Sequence, residues 1–262
     1  MVKPKKHLGQ HFLKDFNIAE NISKLLQADE KTTDILEIGP GTGVLTQFIL
    51  QKYPNAYLIE IDAESVGYLK ENFAVLQKNH QIIEANFLEY PLENQFRKEI
   101  SIIGNFPYNI SSQIFFKILE HRHQVVEVVC MLQKEVAVRI ASAKGNKDYG
   151  ILSVLLQAFY DITYHFTVDE HVFLPPPKVK SGVIRLERNQ RKQLSCDEKL
   201  FFRVVKAGFN QRRKTLRNAL KEFVKTENLK NEEILDKRAE QLSVDDFIDL
   251  TQKIQQQDLN KS

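Results

Sequence analysis

The apolar positions of the first half of this chain switch period repeatedly. Ile18, Ile22, Leu25 and Leu26 recur at helical spacing, which predicts a helix over 17–27. A short β-branched run at 34–38 stops at Gly39, and 44–51 returns to the helical period. The same alternation predicts strands at 56–61, 81–83, 100–103 and 125–132, with helices at 64–75 and 113–120 between them. Strands that read as buried runs, separated by helices, predict an α/β fold with a parallel sheet covered on both faces. Ligands of such sheets sit at the carboxyl ends of the strands, near the point where strand order reverses.

Beyond residue 188 the pattern changes. Residues 189–195 are polar and basic without periodicity and read as a linker. Helical periods follow at 197–207, 211–224 and 245–256, the last with Ser243 as its N-cap, and 255–262 are expected to fray. The division expected is a domain of residues 1–188 carrying the sheet and a small all-helical domain of 189–262.

Composition narrows the class. With 42% hydrophobic and 27% charged residues in 262, the chain can bury a sizeable core, and disorder is not expected. No apolar run reaches the roughly 18 residues of a membrane span, so no membrane partner is expected. The basic start lacks an apolar stretch after it, which argues against a secretory leader. Two cysteines, Cys130 and Cys196, exclude a disulfide scaffold and fit a reducing cytoplasm. Nothing reads as a coiled coil, and a monomer is expected. The net charge of +3 conceals a block of +11 over 175–221, flanked by −4 on each side. Such a block is either a solvated face or the footprint of a polyanion.

Candidate chemistry lies at the strand ends. Glu37-Ile38-Gly39-Pro40-Gly41-Thr42-Gly43 joins the first long strand to its helix, and glycines there let a ligand approach the backbone. Glu60 follows Gly39 by twenty-one residues, at the end of the next strand, where a carboxylate reaches ribose hydroxyls. A dinucleotide fingerprint needs glycine three positions after its second one. Position 44 is Val, so the G-x-G-x-G spacing after an acid fits the S-adenosylmethionine variant, a Rossmann-like methyltransferase sheet. Asn86, past the third of these strands, is either a turn residue or a partner for the cofactor's adenine. Nothing in the spacing around His11 suggests a metal.

Gly104-Asn105-Phe106-Pro107-Tyr108 ends the fourth of these strands. The exocyclic amine of adenine is a poor nucleophile because its lone pair is delocalised into the ring. A site that methylates it must accept hydrogen bonds from the NH₂ and favour a localised lone pair. Asn105 offers a side-chain carbonyl, Phe106 a backbone carbonyl before Pro107, and Tyr108 a ring for stacking, so positioning and electrostatics suffice without a strong base. A base in a duplex must be flipped out, which makes a second aromatic useful. Phe173, before Leu174-Pro175-Pro176-Pro177-Lys178-Val179-Lys180-Ser181, is the candidate, although alone it reads as a core residue at a strand end.

Together these stretches resemble the ribosomal small-subunit RNA adenine dimethyltransferase family, the kasugamycin-sensitivity methyltransferases. The likeness includes Lys6-His7-Leu8-Gly9-Gln10-His11-Phe12-Leu13, residues 37–43, 59–62, 105–109 and 172–182, and runs to Ala207-Gly208-Phe209-Asn210-Gln211-Arg212-Arg213-Lys214-Thr215-Leu216-Arg217-Asn218-Ala219-Leu220. The resemblance implies N6,N6-dimethylation of two adjacent adenosines in the 3′-terminal stem-loop of small-subunit ribosomal RNA. It implies action on a pre-assembled small subunit during its maturation. It places S-adenosylmethionine against His11, Leu13, Gly39, Gly41, Glu60, Asn86 and Asn105, and the target adenine between Tyr108 and Phe173. The family commonly has Asn at the position of His11 and Asp at that of Asn86. In the basic block, a helix over 211–224 would put Arg213, Arg217 and Lys221 in one stripe, and Arg212, Arg213, Lys214, Arg217 and Lys221 are the expected RNA contacts. The rival readings are a large-subunit RNA methyltransferase and an assembly factor that binds without needing catalysis.

Overall fold

In the computed structural model, which describes residues 2–259, the expected alternation becomes nine strands and their intervening helices. The strands are β1 (Phe12–Leu13), β2 (Thr33–Ile38), β3 (Tyr57–Glu60), β4 (Ile82–Glu84), β5 (Glu99–Asn105), β6 (Val125–Gln133), β7 (Tyr160–Val168), β8 (Phe173–Leu174) and β9 (Ser181–Arg188). Seven of them form one sheet in the order β4-β3-β2-β5-β6-β9-β7. The pairs from β4 across to β6 are parallel, and β9 runs antiparallel to β6. β1 and β8 make a separate antiparallel ribbon that pairs Leu13 with Phe173. The strands foreseen between 34 and 132 all form. β1, β7 and β9 are not among the expected strands; the alternation of β7 is half-exposed, a weaker signal than a buried run.

In β2, Ile35 and Glu37 face one side and Leu36 and Ile38 the other, and all four are buried. On the first side Ile35, Ile103, Val129 and Met131 pack with Ile22 and Ile49 from the helices Phe16–Lys24 and Thr46–Lys52, and with Leu26 and Tyr53 just past their ends. Asp15 starts the earlier helix by accepting from the Ile18 amide at 3.1 Å. A second cluster, Leu58, Val66, Leu69, Leu76 and Ile82, holds the β3–β4 end of the sheet.

The chain divides into two compact units, one of residues 2–138 and 161–188 and the other of 139–160 and 189–259. The expected division differs in one respect: residues 139–160 had been assigned to the sheet domain, and they pack in the helical unit. There the Gly145 amide donates to the Glu240 carbonyl at 2.7 Å, and the Tyr149 ring meets Phe209 edge-on at 6.0 Å.

Two expectations for this second unit require correction. A continuous helix over 211–224 does not form; 211–214 is a turn and only Leu216–Ala219 is helical. Thr215 is extended, the Leu216 amide donates to the Lys237 carbonyl at 2.8 Å, and Leu216 and Leu220 are buried. Tertiary contacts therefore override the helical period, and the stripe of Arg213, Arg217 and Lys221 is not formed. Fraying from residue 255 is also not observed, since the helix Val244–Leu259 continues past it. Gln257 accepts from the Lys225 amide at 2.9 Å and donates to the Phe223 carbonyl, which ties that end down. Residues 260–262 of that expectation lie outside the described residues. Ser243 caps this helix, its hydroxyl accepting from the Asp246 amide at 3.1 Å while Asp246 accepts from the Ser243 amide at 2.7 Å.

Candidate active site

The strand order puts the carboxyl ends of β3, β2 and β5 side by side, with the topological reversal between β2 and β5. Gly39, Gly41 and Gly43 after β2 all have positive φ, between +55° and +76°. A Cβ on Gly41 would lie 2.7 Å from the Phe12 ring, whereas one on Gly39 would meet nothing within 4 Å. The turn is therefore tight on its protein side and open on the other. Gly104 is needed for a different reason: its Cβ would sit 2.5 Å from the Ile38 carbonyl oxygen, so β5 can only pass β2 this closely without a side chain.

Glu60, at the end of β3, is buried and accepts from the Gly41 amide at 3.1 Å and from the Ile61 and Asp62 amides at 2.9 Å each. Burial raises its pKa, and these three amides oppose the shift. Glu37 lies deeper; burial pushes its carboxyl up to about 8, against the hydrogen bond that Thr46 Oγ1 donates at 2.6 Å. Glu37 is the acid that precedes the glycine turn in the sequence, and the structure adds its burial. Asp62 has a lowered pKa: burial opposes ionisation, but Lys5, Ser65 and Gln10 all donate to it. Through Lys5 and Gln10, Asp62 ties the amino-terminal segment to the end of β3.

A cleft opens over these strand ends. Its lining includes His11, Gly39, Gly41, Glu60, Ile61 and Asn105. Ile61 is 51% exposed there, an aliphatic side chain the sequence reading passed over. Leu13 is buried and lines a smaller hollow with Glu37, Asn105 and Met131. The Asn105 amide nitrogen donates to the His11 carbonyl at 2.9 Å. Only nitrogen can donate to a carbonyl, so this bond fixes the amide and leaves Oδ1 as its acceptor. The Phe106 amide donates to the Met131 carbonyl at 2.9 Å, and its ring is buried edge-on to Phe115.

Tyr108 and His11 form a shared wall, ring centroids 5.5 Å apart, between this cleft and a wider groove. That groove is also lined by Lys6, Gln133, Lys178 and the run Pro175-Pro176-Pro177. His11 Nδ1 lies 2.7 Å from the Pro175 carbonyl. Pro107 belongs to the first cleft.

Two expected site residues are placed differently. The Phe173 ring is fully buried, because β8 pairs with β1 and turns it into the core with Leu13, Ile22 and Val129; it offers no face to a base. Asn86 does not line the cleft. Its Oδ1 accepts from the Leu88 amide at 3.0 Å and its Nδ2 donates to Glu89 at 3.1 Å, as in an ordinary Asx turn. The neighbouring Ala85 amide does meet the Glu60 carbonyl, at 3.0 Å.

In the second unit the expected RNA contacts separate into two sets. Arg212 donates to the Lys147 and Tyr149 carbonyls, and Arg217 pairs with Asp236 at 2.7 Å and donates to the Lys230 carbonyl. Arg213, Lys214 and Lys221 are exposed, and their side chains have no ion-pair partner among the described residues.

The fold is that of the Rossmann-like methyltransferases. A solved dimethyladenosine transferase from Plasmodium falciparum aligns over 95% of this chain and 98% of its own, with a TM-score of 0.80 at 23% identity. The 23S rRNA methyltransferase ErmE aligns over 92% and 99%, with a TM-score of 0.64 at 23% identity. The sequence profile of the family described as Ribosomal RNA adenine dimethylase matches residues 1–256, and the chain belongs to that family. It is 58% identical over 254 residues to Ribosomal RNA small subunit methyltransferase A of Cytophaga hutchinsonii, covering 95% of this chain and 96% of the relative. The protein of the same name from Flavobacterium johnsoniae is 56% identical over 255 residues, with 97% of each chain covered.

Proposed function

We propose that this protein transfers methyl groups from S-adenosylmethionine to the N6 amine of two adjacent adenosines in the 3′-terminal stem-loop of small-subunit ribosomal RNA. Its substrate is RNA within a pre-assembled small subunit, it acts in the cytoplasm during subunit maturation, and it works as a monomer. The observation that supports the reading best is the fixed amide of Asn105 in the cleft, beside the Tyr108–His11 wall.

The residues of the narrower cleft fit the cofactor. The open side of Gly39, the close-set Gly41, the carboxylate of Glu60 and the buried carboxyl of Glu37 are suited to a cationic nucleoside. Bound there, it would supply an electrophilic methyl on a sulfonium. Asn105 Oδ1 accepts one N–H of the target amine and the Phe106 carbonyl accepts the other, which localises the lone pair. Tyr108 stacks on the base, and the proton leaves to water after transfer. His11 and Leu13 support this wall through the Asn105 bond and the hollow beneath it. Asn86 holds the turn beside Glu60. The Pro175-Pro176-Pro177 run, rather than Phe173, lines the far side of the groove. Arg213, Lys214 and Lys221 meet RNA phosphates, with Arg212 and Arg217 holding the turn that presents them. The test is label transfer from S-adenosylmethionine to unmethylated small subunits, with large subunits as the control.

A further inference from the structure

Ser181 opens β9, opposite Gln133 of β6, and is fully buried. A buried hydroxyl needs a partner. The one it meets is the Tyr108 phenol, 2.6 Å from Ser181 Oγ. The stretch containing Ser181 was part of the sequence likeness but carried no role of its own. We propose that Ser181 is a positioning residue for methyl transfer, holding the Tyr108 ring in the plane on which the target adenine stacks. This rests on the proposed function and deepens it.

The geometry anchors Tyr108 at both ends. Its backbone carbonyl accepts from Ser111 Oγ at 3.2 Å, and the Pro107 carbonyl beside it accepts from the Ile110 amide at 3.3 Å. At the far end the hydroxyl is held by a residue whose own backbone belongs to the sheet. The Lys134 amide donates to the Lys180 carbonyl at 2.9 Å, and a Cβ on Gly182 would come within 2.9 Å of Ala137, so β9 cannot slide at this point. Between the anchors the ring stands between cleft and groove with His11 at its side. Without the hydroxyl bond it can swing towards the groove. With the bond, the ordering of the ring is complete before RNA arrives, and stacking does not have to supply it. Ser181 itself does not line either opening, so its influence on the base passes through Tyr108.

The experiment uses the full chain and measures kcat and KM for unmethylated small subunits at 20 °C, the Kd for S-adenosylmethionine, and Tm. The variants are Ser181→Ala, Ser181→Thr, Tyr108→Phe and the double variant Ser181→Ala with Tyr108→Phe. Ser181→Ala is expected to lower kcat/KM for the subunit about 10-fold, the order of one net hydrogen bond, while cofactor Kd stays within about 2-fold. Tyr108→Phe should lose a similar factor, and the double variant no more than either single one, since both remove the same bond. Ser181→Thr, which keeps the hydroxyl, should recover most of the activity. Unchanged kcat/KM in Ser181→Ala, with only Tm lowered, would make the bond purely structural and overturn the proposal. Losses that multiply in the double variant would overturn it too. A wild-type chain that fails to label small subunits would instead overturn the function itself; an active wild type with an unaffected Ser181→Ala overturns this role alone.

Discussion

The turn after β5 and the turn after residue 210 are both short connections rich in hydrogen-bonding side chains, and the structure treats them differently. After β5, polar groups are locked onto neighbouring backbone or buried hydroxyls: Asn105 onto the His11 carbonyl and Tyr108 onto Ser181. After residue 210, Arg212 and Arg217 are turned onto protein partners, whereas Arg213, Lys214 and Lys221 stand in solvent. The contrast follows the tasks proposed for them. Localising the lone pair of an amine needs an acceptor fixed to a fraction of an ångström. Attracting phosphates needs charge near a surface and tolerates mobile side chains.

Asn105→Ala tests the locked side and carries the largest expected effect. Loss of one preorganised acceptor should lower kcat by about 10²–10³-fold. A variant retaining more than a tenth of wild-type kcat would show that the amide does not localise the amine. The free side is tested by Arg213→Glu combined with Lys214→Glu. This pair should weaken subunit binding at least about tenfold and reduce the salt slope by about 2, one for each phosphate contact. Arg212→Ala should act differently, lowering Tm through the Lys147 and Tyr149 carbonyls it releases, with a small change in salt slope. If the two sets of cations behave alike, the division drawn between them fails.

Glu60→Gln comes next. Removing the charge while keeping the shape should weaken S-adenosylmethionine about tenfold by calorimetry; unchanged affinity would take Glu60 out of the cofactor site. The smallest effect is on stability against pH. Burial raises Glu37 to about 8, so between its ordinary range and pH 8 the folded chain binds more protons than the unfolded one. Stability of the ligand-free protein should therefore fall as pH rises from 5 to 8, with the raised Glu60 acting in the same direction. Glu37→Gln should flatten the dependence of Tm on pH. The wild-type slope persisting in that variant would mean that Glu37 is already ionised at low pH.

How much of this was legible in the sequence follows the same contrast. Buried strand runs such as those of β2 and β5 announce themselves, because strands covered on both faces are mostly apolar. The glycine turn, Glu60 and the Asn105 turn could be read because strand topology brings strand ends together without detailed side-chain packing. Phe173 read two ways, as a core residue at a strand end and as a ring for the base, and the pairing of β1 with β8 decides for the core. The same holds for 211–224, where Leu216, Leu220 and the Lys237 carbonyl break a helix that the period alone supports. Asn86 was read both ways, and its hydrogen bonds are those of a turn. Glu37 was legible as the acid before the glycine turn, but its hydrogen bond to Thr46 and its burial are visible only in the structure.

The most direct test of the central claim is methyl transfer from labelled S-adenosylmethionine to unmethylated small and large ribosomal subunits, with the RNA digested to nucleosides. The account predicts label in N6,N6-dimethyladenosine from the small subunit and none from the large. Label in large-subunit RNA, or small-subunit binding without any label, would contradict it.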